Sequence, residues 1–185
     1  MQNKGPCLFI VLVGPKHCGK TAAACALASL VNGTFIDLDA EIERRTGTTV
    51  RALYCSGADT FRRAEAAALR AVLEGEGGTV LAAGGGLIDN EAAMEALTGK
   101  PDVLLVFLEI DAETAWERVS KNAETTGVLP PFLQTENPQA THRLLHDRRN
   151  AAYKHAAAIT IPAAGKTPAE IAHEILYSLR ATLIK

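Results

Sequence analysis

Gly14-Pro15-Lys16-His17-Cys18-Gly19-Lys20-Thr21 has the spacing G-x-x-x-x-G-K-T. The stretch before it, Leu8 to Val13, is apolar and rich in Val, Ile and Phe, as a parallel strand buried on both faces is. The stretch after it, Thr21 to Leu30, is rich in Ala and Leu, which favour helix. A strand, a glycine-bounded loop and a helix, in that order, make this spacing a phosphate-binding loop. Gly14 and Gly19 let the backbone turn tightly and approach phosphate oxygens. Successive N–H groups and the positive end of the following helix form an anion site. Lys20 adds a charge that reaches the β- and γ-phosphates, and the Thr21 hydroxyl is placed to ligate Mg²⁺.

The chain has 185 residues, enough for one domain with a sizeable core. It is 48% hydrophobic but only 5% aromatic, a composition that suits helices packed closely on a sheet. The net charge of −2 implies no general affinity for nucleic acid or membrane. No apolar run reaches the roughly 18 residues that read as a membrane span. The apolar run within residues 1–13 leads into the loop, so it reads as a strand rather than a secretory leader. Cys7, Cys18, Cys25 and Cys55 show no CxxC spacing, and beside a phosphate loop they point to a reducing cytoplasm. Cys18 reads as a small filler residue within the loop.

Asn32-Gly33 marks a turn, and Thr34-Phe35-Ile36 begins a second strand that ends at Asp37-Leu38-Asp39. A helix follows from Ala40 to Arg45, closed by Gly47. Carboxylates at i and i+2 of a strand share a face. At the carboxyl end of a parallel strand they enter the ligand crevice, unless one merely caps the next helix. Thr48 to Ser56 reads as a short helix broken by Gly57. Asp59 or Thr60 then caps a helix over Phe61 to Leu73, with Ala64, Ala67, Ala68, Ala71 and Val72 as its apolar face. Arg62 and Arg63 in its first turn oppose the helix dipole, which indicates either an anionic partner or solvated surface charge.

Gly75 to Gly78 is a turn, and the strand Thr79 to Ala83 runs into Gly84-Gly85-Gly86, where a ligand or backbone can come very near. A helix from Asp89-Asn90-Glu91 to Leu97 and a buried strand Val103 to Leu108 follow. Asp111 caps a helix Ala112 to Lys121, on which Trp116 is a packing residue. Arg118 and Lys121 of that helix are either within reach of a nucleotide or plain surface charge. Residues 122–138, with Pro130, Pro131 and Pro138, support no regular element and read as a mobile lid. Gln139 to Ala157 returns to helix, with Arg143, His146, Arg148 and Arg149. His142 and His146 lie i, i+4, but no Glu or third ligand sits beside them, so no zinc site is expected. A last strand spans Ala157 to Ile161, and Thr167-Pro168-Ala169-Glu170 opens the final helix. Strand–helix units repeated about five times predict a three-layer α/β/α domain over 1–185, with a five-stranded parallel sheet.

These landmarks together resemble the shikimate kinases, small P-loop kinases of the nucleoside-monophosphate-kinase type. The resemblance is carried by Gly14 to Thr21, by Phe35-Ile36-Asp37-Leu38-Asp39 with Glu41 to Gly47, and by Phe61-Arg62-Arg63-Ala64-Glu65. It continues through Gly84-Gly85-Gly86 and Arg149 four residues before Tyr153. It implies transfer of the ATP γ-phosphate to a hydroxyl of shikimate, giving shikimate 3-phosphate. ATP would lie along Gly14, Pro15, Lys16, His17, Cys18, Gly19, Lys20 and Thr21, near Arg118, with Mg²⁺ on Thr21 and, through water, Asp37. Asp39 corresponds to the residue that binds the acceptor hydroxyls and takes the proton. Arg62 and Arg149 correspond to the pair that holds the substrate carboxylate, for which Arg is well suited. Gly84, Gly85 and Gly86 correspond to the backbone wall of the acceptor site. A cytoplasmic monomer is expected, because the apolar helix faces are sufficient for core packing.

Two positions depart from the resemblance. Shikimate kinases carry a lid arginine just before a proline, where this chain has Pro130, and no Arg or Lys stands between Lys121 and Arg143. The expectation is either slow turnover or a replacement charge from Arg118, Lys121 or Arg143. His17 stands where relatives have glycine, a position that His tolerates if φ is positive, at some strain. Two competing readings remain: a kinase for gluconate or a nucleoside monophosphate, and a nucleotide-binding regulatory protein that has lost turnover. The Asp37/Asp39 pair with Arg62 and Arg149 favours a carboxylated polyol.

Overall fold

A computed structural model describes residues 8–75 and 77–183, with side chains described through residue 180. Cys7 and Glu76 of the turn before the third strand lie outside the described residues. Five parallel strands form one sheet in the order β2-β3-β1-β4-β5. They are β1 (Phe9–Val13), β2 (Thr34–Asp37), β3 (Thr79–Ala82), β4 (Val103–Glu109) and β5 (Ile159–Pro162). The helices are α1 (Lys20–Val31), α2 (Leu38–Thr46), α3 (Val50–Ser56), α4 (Ala58–Leu73), α5 (Glu91–Thr98), α6 (Ala112–Thr126), α7 (Pro138–Ala156) and α8 (Pro168–Leu183).

β1, β3 and the middle of β4 are buried on both faces, while the outer strands β2 and β5 are partly exposed, and the alternating side chains feed two separate cores. Ile10, Leu12, Val106 and Leu108 point to one side, against Ala24 and Leu27 of α1 and Ile175 of α8. Phe9, Val11, Leu105 and Phe107 point to the other, against Ile42 of α2, Leu69 of α4 and Tyr153 of α7. The chain leaves β1 toward β2 on one side and later returns to place β4 on the other. The loop after β1 therefore sits at the topological switch point, where open α/β sheets bind ligands.

Several boundaries differ from those expected. Asp39 does not stand on a strand with Asp37; β2 ends at Asp37 and Asp39 lies in the first turn of α2. Asp37 is itself the cap, with Oδ1 accepting from the Asp39 and Ala40 N–H groups at 3.0 and 3.3 Å. A short acidic side chain satisfies these orphan donors better than one further ladder residue would. α4 begins at Ala58 rather than Phe61, entered from Gly57 with no side-chain cap, so Asp59 and Thr60 are helical. Arg62 consequently pairs with Asp59 at 3.4 Å, and Arg63 Nη2 donates to Thr60 Oγ1 at 3.3 Å. Ala67 faces solvent, and the buried stripe of α4 holds Glu65 in its place. Residues 122–126 are regular after all, because α6 continues to Thr126 and closes on Gly127 at φ +73. Beyond it, Pro131–Leu133 make a single 3-10 turn anchored by the buried Leu133.

Candidate active site

The loop between β1 and α1 carries its strain where phosphate would lie. Gly14 and Gly19 have φ of +146 and +100, and His17 adopts φ +60. A Cβ on Gly14 would meet the Leu108 carbonyl oxygen at 2.5 Å, so the loop lies flush against the end of β4. Lys20 is the first residue of α1 and is buried, its Nζ donating to the carbonyls of Gly14 at 3.0 Å and Pro15 at 2.7 Å. Those two bonds hold the ammonium inside the loop. Cys18 is buried beside it, as a filler would be, with Sγ 3.7 Å from Nζ. Arg118 reaches in from α6, its Nη1 donating to the His17 carbonyl at 3.0 Å. Burial and the charges of Lys16, Lys20 and Arg118 push the His17 imidazole down from its ordinary value, toward the neutral form.

One step away, Thr21 Oγ1 donates to Asp37 Oδ2 at 3.0 Å. This places two hard oxygen donors side by side at the start of α1, a set that suits Mg²⁺ completed by water and phosphate. Among the described residues, no three His, Cys, Asp or Glu side chains converge on one metal position. Asp39 stands beyond Asp37. Burial raises its pKa most, the Asp37 charge adds to this, and Lys20 and Lys16 pull it back.

The three glycines join these groups. A Cβ on Gly84 would lie 3.4 Å from Asp39 Oδ1 and 3.3 Å from Glu65 Oε1. A Cβ on Gly85 would meet the Lys16 amide nitrogen at 3.0 Å, and one on Gly86 would meet Arg149 Nη2 at 3.3 Å. Arg62 and Arg149 line one cavity of about 290 Å³ together with Asp89 and Arg148. The predicted residues of the loop, the aspartates, the glycines and the two arginines thus form one continuous surface. Arg118 meets that surface only at the loop backbone. His142 and His146 lie buried behind the loop, their rings 5.7 Å apart, with His142 against Trp116 at 5.4 Å.

Three residues of this surface carried no separate signal in the sequence. Glu65 is buried, its Oε2 accepts from Asn90 Nδ2 at 2.9 Å, and its Oε1 has no hydrogen-bond partner. Burial raises its pKa to about 7 against the opposing pull of Asn90, Arg62 and Arg149. The available clue was a carboxylate at the i position of the buried stripe Glu65, Leu69, Val72. Asp89 accepts from Arg149 and Arg148, so neither guanidinium is free. Phe132, in the 3-10 turn, lies under the Arg149 guanidinium at 5.5 Å from its ring centre.

The family model for shikimate kinase matches residues 16–180. The chain belongs to the shikimate kinase family. A shikimate kinase of Marinomonas sp. is 31% identical over 176 residues, covering 94% of this chain and 93% of that one. Another from Salinispora arenicola is 35% identical over 172 residues, covering 92% and 97%. Among solved structures, the shikimate kinase from Acinetobacter baumannii in complex with shikimate superposes with a TM-score of 0.85 at 31% identity, over 96% of each chain. Shikimate kinases are ATP-dependent phosphotransferases. No described helix is long and apolar enough to cross a membrane.

Proposed function

We propose that this protein transfers the γ-phosphate of ATP to the 3-hydroxyl of shikimate. The observation that carries this reading is the glycine run, which abuts Asp39 at Gly84, the loop backbone at Gly85 and Arg149 at Gly86. A small hydroxylated acid lying along it meets a carboxylate at its hydroxyl end and a guanidinium at its carboxylate end. Arg149, oriented by Asp89, and Arg62 on the same cavity grip the carboxylate. The 84–86 backbone lies close because no side chain intervenes.

The loop amides and Lys20 bind the β- and γ-phosphates, with Lys20 exchanging its carbonyl partners for phosphate oxygens. Thr21 and Asp37 would hold Mg²⁺, which would supply charge neutralisation at the phosphates. Asp39 accepts a hydrogen bond from the acceptor hydroxyl and takes its proton as the new oxygen–phosphorus bond forms and the bond to the β–γ bridging oxygen breaks. The segment after α6 closes over the reactants and excludes water, which limits ATP hydrolysis. The protein works as a cytoplasmic monomer with a small-molecule acceptor.

An ADP-release assay with ATP and Mg²⁺ tests the reading, with shikimate, gluconate and nucleoside monophosphates offered separately. Shikimate should stimulate ADP release, and Asp39→Asn should abolish the stimulation. Release driven by gluconate or a nucleotide but not by shikimate would overturn it.

A further inference from the structure

Loose phosphoryl transfer spreads negative charge over the three oxygens of the moving group, and a cation placed there can be worth roughly 10³- to 10⁵-fold in rate. The segment that lies over this site carries no Arg or Lys between positions 121 and 143. The neighbouring cations are nearly all committed. Arg118 holds the His17 carbonyl, Arg143 faces Glu113 at 3.5 Å, and Arg148 and Arg149 share Asp89. Arg62 is paired with Asp59, and Lys121 is exposed on α6. His17 is held toward the neutral form by burial and by the cations around it.

Lys16 differs from all of these. It stands in the loop itself, its amide 3.0 Å from where a Gly85 Cβ would be, and it lines a narrow cavity with Gly85, Phe132 and Arg149. That cavity lies between the phosphate loop and the end of the acceptor surface. Among the described residues, the Lys16 ammonium makes no hydrogen bond or ion pair. Its charge nevertheless acts on both Asp39 and His17. We infer that the Lys16 side chain is the cation that meets the transferring phosphoryl group, a part the overlying segment does not supply. The inference rests on the phosphotransferase reading above and assigns the Lys16 side chain a role beyond that of a loop backbone residue. A flexible four-carbon stem on a fixed loop suits the task, because the ammonium settles on charge only as it develops.

The test compares Lys16→Met, which keeps the stem, with Lys16→Arg, which keeps the charge. Both are melted first to confirm folding, and Lys16 is exposed enough for substitution to be tolerated. Lys16→Met should lower kcat by about 10²- to 10³-fold with KM for ATP within about threefold of wild type, and Lys16→Arg should recover most of the loss. Calorimetry adds a readout that needs no turnover. Binding of Mg·ADP alone should be unchanged in Lys16→Met, whereas the extra affinity conferred by aluminium fluoride, a mimic of the planar phosphoryl group, should disappear. Arg118→Ala should instead weaken Mg·ADP with and without fluoride alike. If shikimate is not phosphorylated but the fluoride-dependent gain still needs Lys16, the acceptor assignment fails and this inference stands. A Lys16→Met protein with kcat within threefold of wild type, or with an intact fluoride-dependent gain, would overturn it.

Discussion

Arg149 lays one edge of its guanidinium on Asp89, with Nη2 2.7 Å and Nε 2.9 Å from the same carboxylate oxygen, Oδ2. Arg148 takes the other oxygen at 2.8 Å. Asp89 therefore aims Arg149 along the glycine run, while Phe132 supports the flat face. Asp89→Ala should raise KM for shikimate by roughly 10- to 100-fold, since an aimed guanidinium loses a charge-assisted hydrogen bond. KM for ATP should hardly move. Steady-state kinetics with each substrate varied in turn check this, and an equal rise for both would refute it.

Two glycines on the same surface should fail in different ways. At Gly14 an added Cβ is blocked by the rigid Leu108 carbonyl and the φ of +146 is strained for any side chain. Gly14→Ala should lose on the order of 2–4 kcal/mol of stability. At Gly84 the Cβ would be tight, 3.3 Å from Glu65 Oε1 and 3.4 Å from Asp39 Oδ1, but these are side-chain oxygens that can give way by a few tenths of an ångström, and the Cβ would occupy the acceptor space. Gly84→Ala should keep its melting temperature within about 3 °C and lose acceptor affinity. Thermal melts beside shikimate titrations separate the two outcomes, and a stable Gly14→Ala protein would contradict the packing argument.

Glu65 makes stability depend on pH. Its folded pKa of about 7 lies above its ordinary value of 4.5, so the native state binds the extra proton. Stability should therefore fall as pH rises from about 4.5 to 7 and level off above. Glu65→Gln removes that slope and keeps an amide within reach of Asn90. The variant should gain on wild type as pH rises, by on the order of 1–3 kcal/mol at pH 8. Urea melts at pH 5 and pH 8 measure the difference, and a gain larger at pH 5 would reverse the sign of the argument.

His17 occupies the left-handed region with a side chain whose Nε2 is buried and unpartnered. His17→Gly relieves both costs, partly offset by a freer unfolded chain. The expected gain is about 0.5–1 kcal/mol, or roughly 2 °C in Tm. Affinity for Mg·ATP should be unchanged, because the loop binds through backbone amides. A scanning melt with a parallel calorimetric titration checks both, and a loss of stability would show that the imidazole has a partner in solution.

The phosphate loop, the five-stranded parallel sheet and the glycine run were legible along the chain. Each is a local pattern in which the residue types needed for one backbone shape are neighbours in sequence. Asp37 and Asp39 were legible as a pair, and the resemblance set Asp37 toward the metal and Asp39 toward the acceptor. The turn from β2 into α2 added that Asp37 is both the helix cap and the partner of Thr21. Asp89, Phe132 and the burial of Glu65 could not be read in advance. Their roles come from packing α7 and α4 against the end of the sheet, which joins residues 60 apart in the case of Asp89 and Arg149. Lys16 read only as one of the loop residues along ATP, and the commitment of Arg62, Arg118, Arg143, Arg148 and Arg149 to other partners singled out its charge within the loop. Local sequence determined the backbone that cradles phosphate, because glycine freedom and strand–helix periodicity act over a few residues. Tertiary structure decided which charges face that cradle, because Coulomb and hydrogen-bond partners are set by distance in space rather than along the chain.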